Sequence, residues 1–237
     1  MKKRALRKDF YMEIRKSLGR FLSIFFIVAM GVAFFSGIRA SEPDLRYSGD
    51  AYFDRNHLMD LKVMGTLGLT ENDVQAIRSL EGVAQAEPGY SADVMVERDG
   101  NQKVLHVSSI LDSMNQYTVE EGRMPKKDGE CLIDQDFIQG SDLKVGDEIT
   151  LISGTKEPVT DTFTKETFRI VGAGSSPEYI SFHRGSSMIG NGEVSGFLAV
   201  PKESFVTEAY TECYVSVEGA EEETAFTEEY DQKVETV

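Results

Sequence analysis

FLSIFFIVAMGVAFFSGI, between Arg20 and Arg39, is a run of 18 residues without a charge. No other feature of the chain restricts its fold as tightly. As a helix rising 1.5 Å per residue the run would be about 27 Å long, close to the thickness of a hydrocarbon core. A core helix of a globular protein keeps a polar stripe, and this run is apolar on all faces. A cleavable signal peptide has a shorter apolar run and small residues at its cleavage site. A cut after Ala40 puts Ile38 at the −3 position, and a cut after Ala33 falls inside the run, with Gly31 at −3. The reading that fits is an uncleaved transmembrane helix over 21–38, bracketed by Arg20 and Arg39.

Charge divides the chain at the same place. Residues 1–20 hold eight Lys/Arg and two acids, out of 25 and 40 in the whole chain. The remaining 217 residues therefore carry 17 against 38. A basic head suits the anionic inner surface of a membrane, and the positive-inside rule places it in the cytoplasm with everything after Arg39 outside. Leu6, Phe10, Ile14 and Leu18 recur every four residues among basic neighbours, as in an interfacial amphipathic helix contacting membrane lipid. The acidic remainder would be repelled by phosphate backbones, which excludes nucleic acid as a partner.

The outer part reads as α+β. A polar, turn-rich stretch over 41–58 precedes a first strand at Leu61 and Val63. Thr70 followed by Asp73 is a capping signal for a short helix with Val74, Ile77 and Leu80 on its apolar face and Gly82 as its stop. Alternating Val94 and Val96, then Asp99-Gly100, then Val104 with Leu105 or Val107 form a hairpin signal. LKVGDEITLI and TFTKETFRIVGAG read as paired strands joined through 154–158. GFLAV and TECYVSV are further strands, with a helix start at Pro201 after the first. The acidic stretch from Glu221 reads as the start of a helix running past Val237. Strands and helices do not alternate as a parallel βαβ sheet requires. Four segments follow: a basic cytoplasmic segment 1–20, a transmembrane helix 21–38, an extracytoplasmic domain 39–220 and a helix start 221–237.

Candidate chemistry is thin. No G-x-x-x-x-G-K-[ST] motif exists, so the chain does not hydrolyse ATP through a P-loop. GNGEVSG places Ser195 where the third glycine of a dinucleotide fingerprint belongs, and neither GSSMIG nor GAGSSPE satisfies G-x-S-x-G. His57, His106 and His183 are too far apart to form a local ligand pair. No catalytic, metal or cofactor site is assigned. In EGRMPKKDGECLIDQDF, Cys131 lies beside Glu130, Asp134 and Asp136, and carboxylates disfavour a reactive thiolate. Cys131 and Cys213 could form a disulfide outside the membrane, but both sit in apolar strand contexts, and two buried free thiols are the plainer reading.

Three stretches together resemble FtsX/MacB-type ABC transporter permeases: RKSLGRFLSIFFIVAMGVAFFSGIRAS, YTVEEGRMPKKDGECLIDQDFIQGSDLKVGDEITLI and FRIVGAGSSPEYISFHRG. The first is similar to the opening helix of such permeases. The other two are similar to the EGR-P…GE…VGD segment and the following strand and loop of their outer domain. The resemblance implies a four-helix permease working as a dimer with a second permease copy. A separate cytoplasmic ATPase would drive motion of the outer domains, for export or for signalling across the membrane. It also marks Pro177, Glu178 and Tyr179 as a candidate partner-contact loop. Only one of four spans is present, so three more apolar runs are expected beyond Val237. The competing readings are a stand-alone single-pass surface protein acting as an adhesion or ligand-binding module and, more weakly, an anchored hydrolase.

Overall fold

The computed structural model describes residues 8–12, 15–98, 100–181 and 183–237. The chain divides into two compact units, 1–49 and 50–237. In the first unit, residues 8–12 are helical. Leu6 and Ile14, half of the amphipathic pattern read in the basic head, lie outside the described residues. Helix α1, Leu18–Arg55, begins here, and its apolar stretch has a mean hydropathy of 2.4 with none of it buried.

The polar stretch after Arg39 was expected to turn, but it stays helical as far as Arg55, with Pro43 inside the helix. Proline removes one backbone hydrogen bond. Local side-chain bonds accompany the continuation: Ser41 Oγ donates to the Gly37 carbonyl at 2.9 Å, and Arg46 pairs with Glu42 at 3.5 Å. In the second unit α1 ends in a Schellman arrangement. His57 takes φ 48°, its N–H reaches the Asp54 carbonyl, and the Leu58 N–H reaches that of Phe53. A histidine stands where glycine is the usual stop signal, so the sequence conceals this ending.

The outer unit holds two sheets. The smaller has order β1-β10-β2, from Leu61–Leu69, Tyr210–Val217 and Val83–Gly89, all antiparallel. Helix α2, Glu71–Arg78, follows β1, with Thr70 and Asp73 closing a reciprocal capping box. Val74 is fully buried and packs with Leu69, Val83, Ala86, Cys213 and Val215. Leu80, assigned to the same apolar face, is exposed because the helix has already ended.

The larger sheet runs β3-β4-β9-β6-β8-β5, with β7 also on β8. Its strands are β3 Ser91–Arg98, β4 Asn101–Ser109, β5 Thr118–Gly122, β6 Glu130–Asp134, β7 Glu148–Thr150, β8 Thr167–Ser175 and β9 Val194–Val200. The β3–β4 hairpin forms in the register the valines imply. β4 pairs parallel with β9 and β6 parallel with β8, so the sheet is mixed within an α+β fold. Central β6 is buried at every position, which is why Cys131 is not part of an alternating strand. Short helix α3, Gln135–Gln139, is capped by Asp134. Pro201 leads into a single 3-10 turn, Lys202–Ser204, rather than a helix. Of the acidic terminus, only Glu228–Val234 is helical (α4), capped by Thr227; the preceding residues from Glu221 form turns.

The EGRMPKKDGE stretch is explained by one clasp. Arg123 donates to both oxygens of Glu130, at 2.7 and 2.8 Å, and the Lys126 N–H donates to Glu130 at 3.0 Å. Gly122 has φ 77°, and a Cβ there would strike the Val171 carbonyl. A Cβ on Gly172 would strike the backbone of Arg123, so these glycines let β5 lie close against β8. Cys131 and Cys213 are free and buried, in the cores of different sheets. Burial, rather than the neighbouring carboxylates, pushes the Cys131 thiol far up.

Two outcomes follow from this packing. Neither cysteine should react with a disulfide reagent in the native protein, and both should react in denaturant. Cys131→Ala should lower stability by about 1–2 kcal/mol in denaturant unfolding. The second concerns acid. The hydrogen bonds from Arg123 hold the Glu130 carboxyl down at about 2, below its usual 4.5. Its contribution is therefore complete above pH 4.5 and lost as pH falls towards 2. Glu130→Gln should be less stable than the parent at neutral pH and show a shallower decline in that window. Parallel declines would show that the clasp does not act through ionised Glu130.

Candidate functional site: an ion-paired cleft between two sheets

β1 presents opposite faces to different surroundings. Leu61 and Val63 pack into the small apolar core, while Lys62 points the other way. Cross-strand from Lys62 is Tyr214, with Glu212 opposite Met64. Lys62 Nζ lies 5.1 Å from the centre of the Tyr214 ring, 3.0 Å from Glu178 and 3.4 Å from Glu212. Tyr214 also donates its hydroxyl proton to Glu212. One ammonium thus joins the small sheet to Pro177–Glu178–Tyr179, the loop after β8 of the large sheet.

This loop is the candidate partner-contact segment, and it is built into the domain. Pro177 is buried; Glu178 and Tyr179 are half-buried. Glu178 also accepts from Asn115 Nδ2 at 3.3 Å, and Asn115 Oδ1 accepts the Met59 N–H at 2.9 Å. Asn115 is buried with φ 47°, a conformation asparagine tolerates better than most residues. Tyr179 stacks on Phe197 of β9 at 5.5 Å, and Phe197 also meets Tyr117. Arg20 and Arg39, the other positions singled out by sequence, are exposed on α1, on either side of its apolar run.

A cleft of about 490 Å³ opens beside Lys62 and Glu178. Its apolar lining includes Phe53, Leu58, Met59, Ile180, Val194 and Phe226; Asp93, His106 and Arg184 complete its polar side. Each charged group there has a partner. Arg184 gives Asp134 two hydrogen bonds, at 2.7 and 3.2 Å, and Asp136 one at 2.7 Å. Asp93 holds His106 Nδ1 at 2.7 Å and the Ser187 hydroxyl at 2.6 Å. Ser187 and His106 meet the same carboxylate, an arrangement unlike a nucleophile–base–orienter relay. Among the described residues, no group of three or more His, Cys, Asp or Glu side chains could hold a metal ion.

The charges in this node are mutually reinforcing. Burial disfavours the Lys62 ammonium, but Glu178 and Glu212 outweigh it and raise its pKa. Burial likewise opposes the Glu212 carboxylate, yet Lys62 and the Tyr214 hydroxyl hold its pKa below the usual value. Desolvation, with Glu178 second, pushes the Tyr179 phenol well up. Sequence reasoning found Glu178 but not Lys62, Glu212, Asn115 or Arg184. Lys62 meets Glu178 across 116 residues, Asn115 meets Glu178 across 63 and Arg184 meets Asp134 across 50, beyond any local pattern.

The sequence profile of the MacB-like periplasmic core domain matches residues 18–233. The chain belongs to that family. Three solved structures resemble this MacB-like domain. The extracellular domain of the noncanonic ABC-type transporter YknZ from Gram-positive bacteria is 12% identical, with 72% of this chain and 80% of that one covered and a TM-score of 0.41. The periplasmic region of MacB from Actinobacillus actinomycetemcomitans is 11% identical, with 72% and 71% covered and a TM-score of 0.38. A domain of a putative permease protein from Porphyromonas gingivalis is 14% identical, with 63% of each chain covered and a TM-score of 0.34. Among curated proteins no match is found. The assignment rests on the profile.

Removing one member of the ion-paired node leaves the others buried and unbalanced. Lys62→Met in the MacB-like domain should cost about 1–3 kcal/mol at neutral pH, discounted for partial exposure. Part of that loss should return as pH falls, because burial without the Lys62 charge favours protonation of Glu212. A Lys62→Met protein as stable as the parent at pH 7 would show that Glu178 and Glu212 do not depend on this cation.

Proposed function

We propose that this chain is the first span and outer domain of an ABC permease of the FtsX/MacB type. It would work with a separate cytoplasmic ATPase and as a dimer with a second permease copy. The N-terminus lies in the cytoplasm in this reading, as the eight Lys/Arg of residues 1–20 favour. ATP hydrolysis belongs to the partner subunit, since the chain carries no P-loop. The outer domain receives ATP-driven motion and uses it for export or signalling.

The observation that carries this reading is the reach of the family match. It takes in the apolar helix and the outer domain together. The last turn of α1 is itself part of the outer unit. Phe53 is buried and meets Phe226 edge-on at 5.9 Å, and the Ala225 N–H donates to Asp50 at 2.6 Å. Asp60, just beyond, accepts from the Tyr230 hydroxyl at 2.7 Å. The helix end and the returning C-terminal segment therefore share one seat, suited to receiving displacement from membrane helices.

A spin label at Leu67→Cys tests this. Leu67 is 97% exposed, and the two native cysteines are too buried to compete for the label. In the full-length permease with its ATPase, the distance between labels on the two copies should differ between ADP-bound and ATP-trapped states. An unchanged distance distribution in a complex that hydrolyses ATP would remove the transmission reading.

A further inference from the structure

We propose that the cleft between the two sheets binds an organic cation, an ammonium group carried on an apolar body, in the place that the Lys62 ammonium holds in this structure. Lys62 already displays the recognition chemistry. Its ammonium sits between the carboxylates of Glu178 and Glu212 and over the face of Tyr214. Two carboxylates and an aromatic face are the groups that bind ammonium ions by charge and by cation–π attraction. Glu212 is 5% exposed and fixed by the Tyr214 hydroxyl; Glu178 is fixed by Asn115. Both acceptors are therefore held in place independently of Lys62.

The cleft beside this box suits the rest of such a ligand. About 490 Å³ is within the range of small-molecule sites, and Phe53, Met59, Ile180 and Phe226 give it an apolar side. Its sign selects against anions. Arg184 is already bound by Asp134 and Asp136, and Lys62 by Glu178 and Glu212, so an incoming carboxylate or phosphate would have to break an existing pair. A cation also breaks the pairs of Lys62, but it leaves both carboxylates matched by a positive charge, while the flexible Lys62 stem swings its ammonium into water. The chain's net charge of −15 draws cations towards it. The inference stands apart from the transmission reading, because it concerns what the cleft holds and not whether the domain moves.

The test is a calorimetric titration of the full chain in nanodiscs with 4-phenylbutylammonium. The neutral 4-phenylbutanol and the anionic 4-phenylbutyrate serve as controls. The parent should bind the amine saturably and neither control. Lys62→Met, which removes the internal competitor, should bind it about tenfold more tightly, and Glu178→Gln about tenfold more weakly. As Lys62→Met costs stability, the side-chain amide resonance of Asn115 in the parent gives a second measurement, because that group donates to Glu178. It should shift with amine and not with alcohol. Equal binding of amine and alcohol, an amine affinity unchanged by Glu178→Gln, or no saturable amine binding by the parent would each overturn the proposal.

Discussion

The Lys62 ammonium joins the outer unit's two sheets at the cleft, while Lys202, just after β9, joins them elsewhere through Glu87 of β2. Lys62 leaves β1 on the face opposite the small core and reaches Glu178, which belongs to the large sheet's connection. Glu178 in turn holds Asn115, and Asn115 holds the backbone at Met59, just after the end of α1. Each sheet keeps its own apolar core, and this chain of contacts borders the cleft between them.

The two cores themselves are built from apolar side chains. Val94, Leu105, Ile133, Phe168 and Leu198 belong to the larger one, and Val74, Cys213 and Val215 to the smaller. Burial of such side chains contributes about 1.5–3 kcal/mol each, so most of the stability resides within the sheets. The seam is different. An ion pair taken out of water gains little net stability, because desolvation offsets most of the attraction. Its worth lies in geometry: it fixes which groups meet and leaves the arrangement sensitive to any competing charge.

What could be read from the sequence follows the range of the interactions. The Thr70–Asp73 box, the hairpin around Gly100 and the apolar run of α1 are encoded within a few residues, and each forms as expected. β2 was not legible. VAQAEPG contains a proline and few β-formers, and it becomes an edge strand because β10 supplies the hydrogen bonds and Val83 and Ala86 reach the small core. The extension of α1 through Pro43 was hidden for a related reason, since its ending depends on a histidine in the left-handed region and on Phe53 finding a buried seat. The family resemblance drew attention to Glu178, but its partner Lys62 lies 116 residues away, and no spacing rule reaches that far.

The quiet EGR-P…GE stretch shows how a motif can be structural without being chemical. Its thiol is inert through burial, and two of its carboxylates, Asp134 and Asp136, hold Arg184, whose guanidinium lies 5.6 Å from the Tyr179 ring. Gly122 and Gly172 bring β5 against β8 at a distance no side chain would permit, and the Arg123–Glu130 clasp closes the turn that follows. Arg184 connects this element to the cleft by lying against the same tyrosine that stacks on Phe197. The turn, the central strand β6 and the wall of the cleft are thus connected through Arg184, whose three hydrogen bonds to Asp134 and Asp136 secure one side of the loop, while Lys62 pairs with Glu178 on the side of the small sheet.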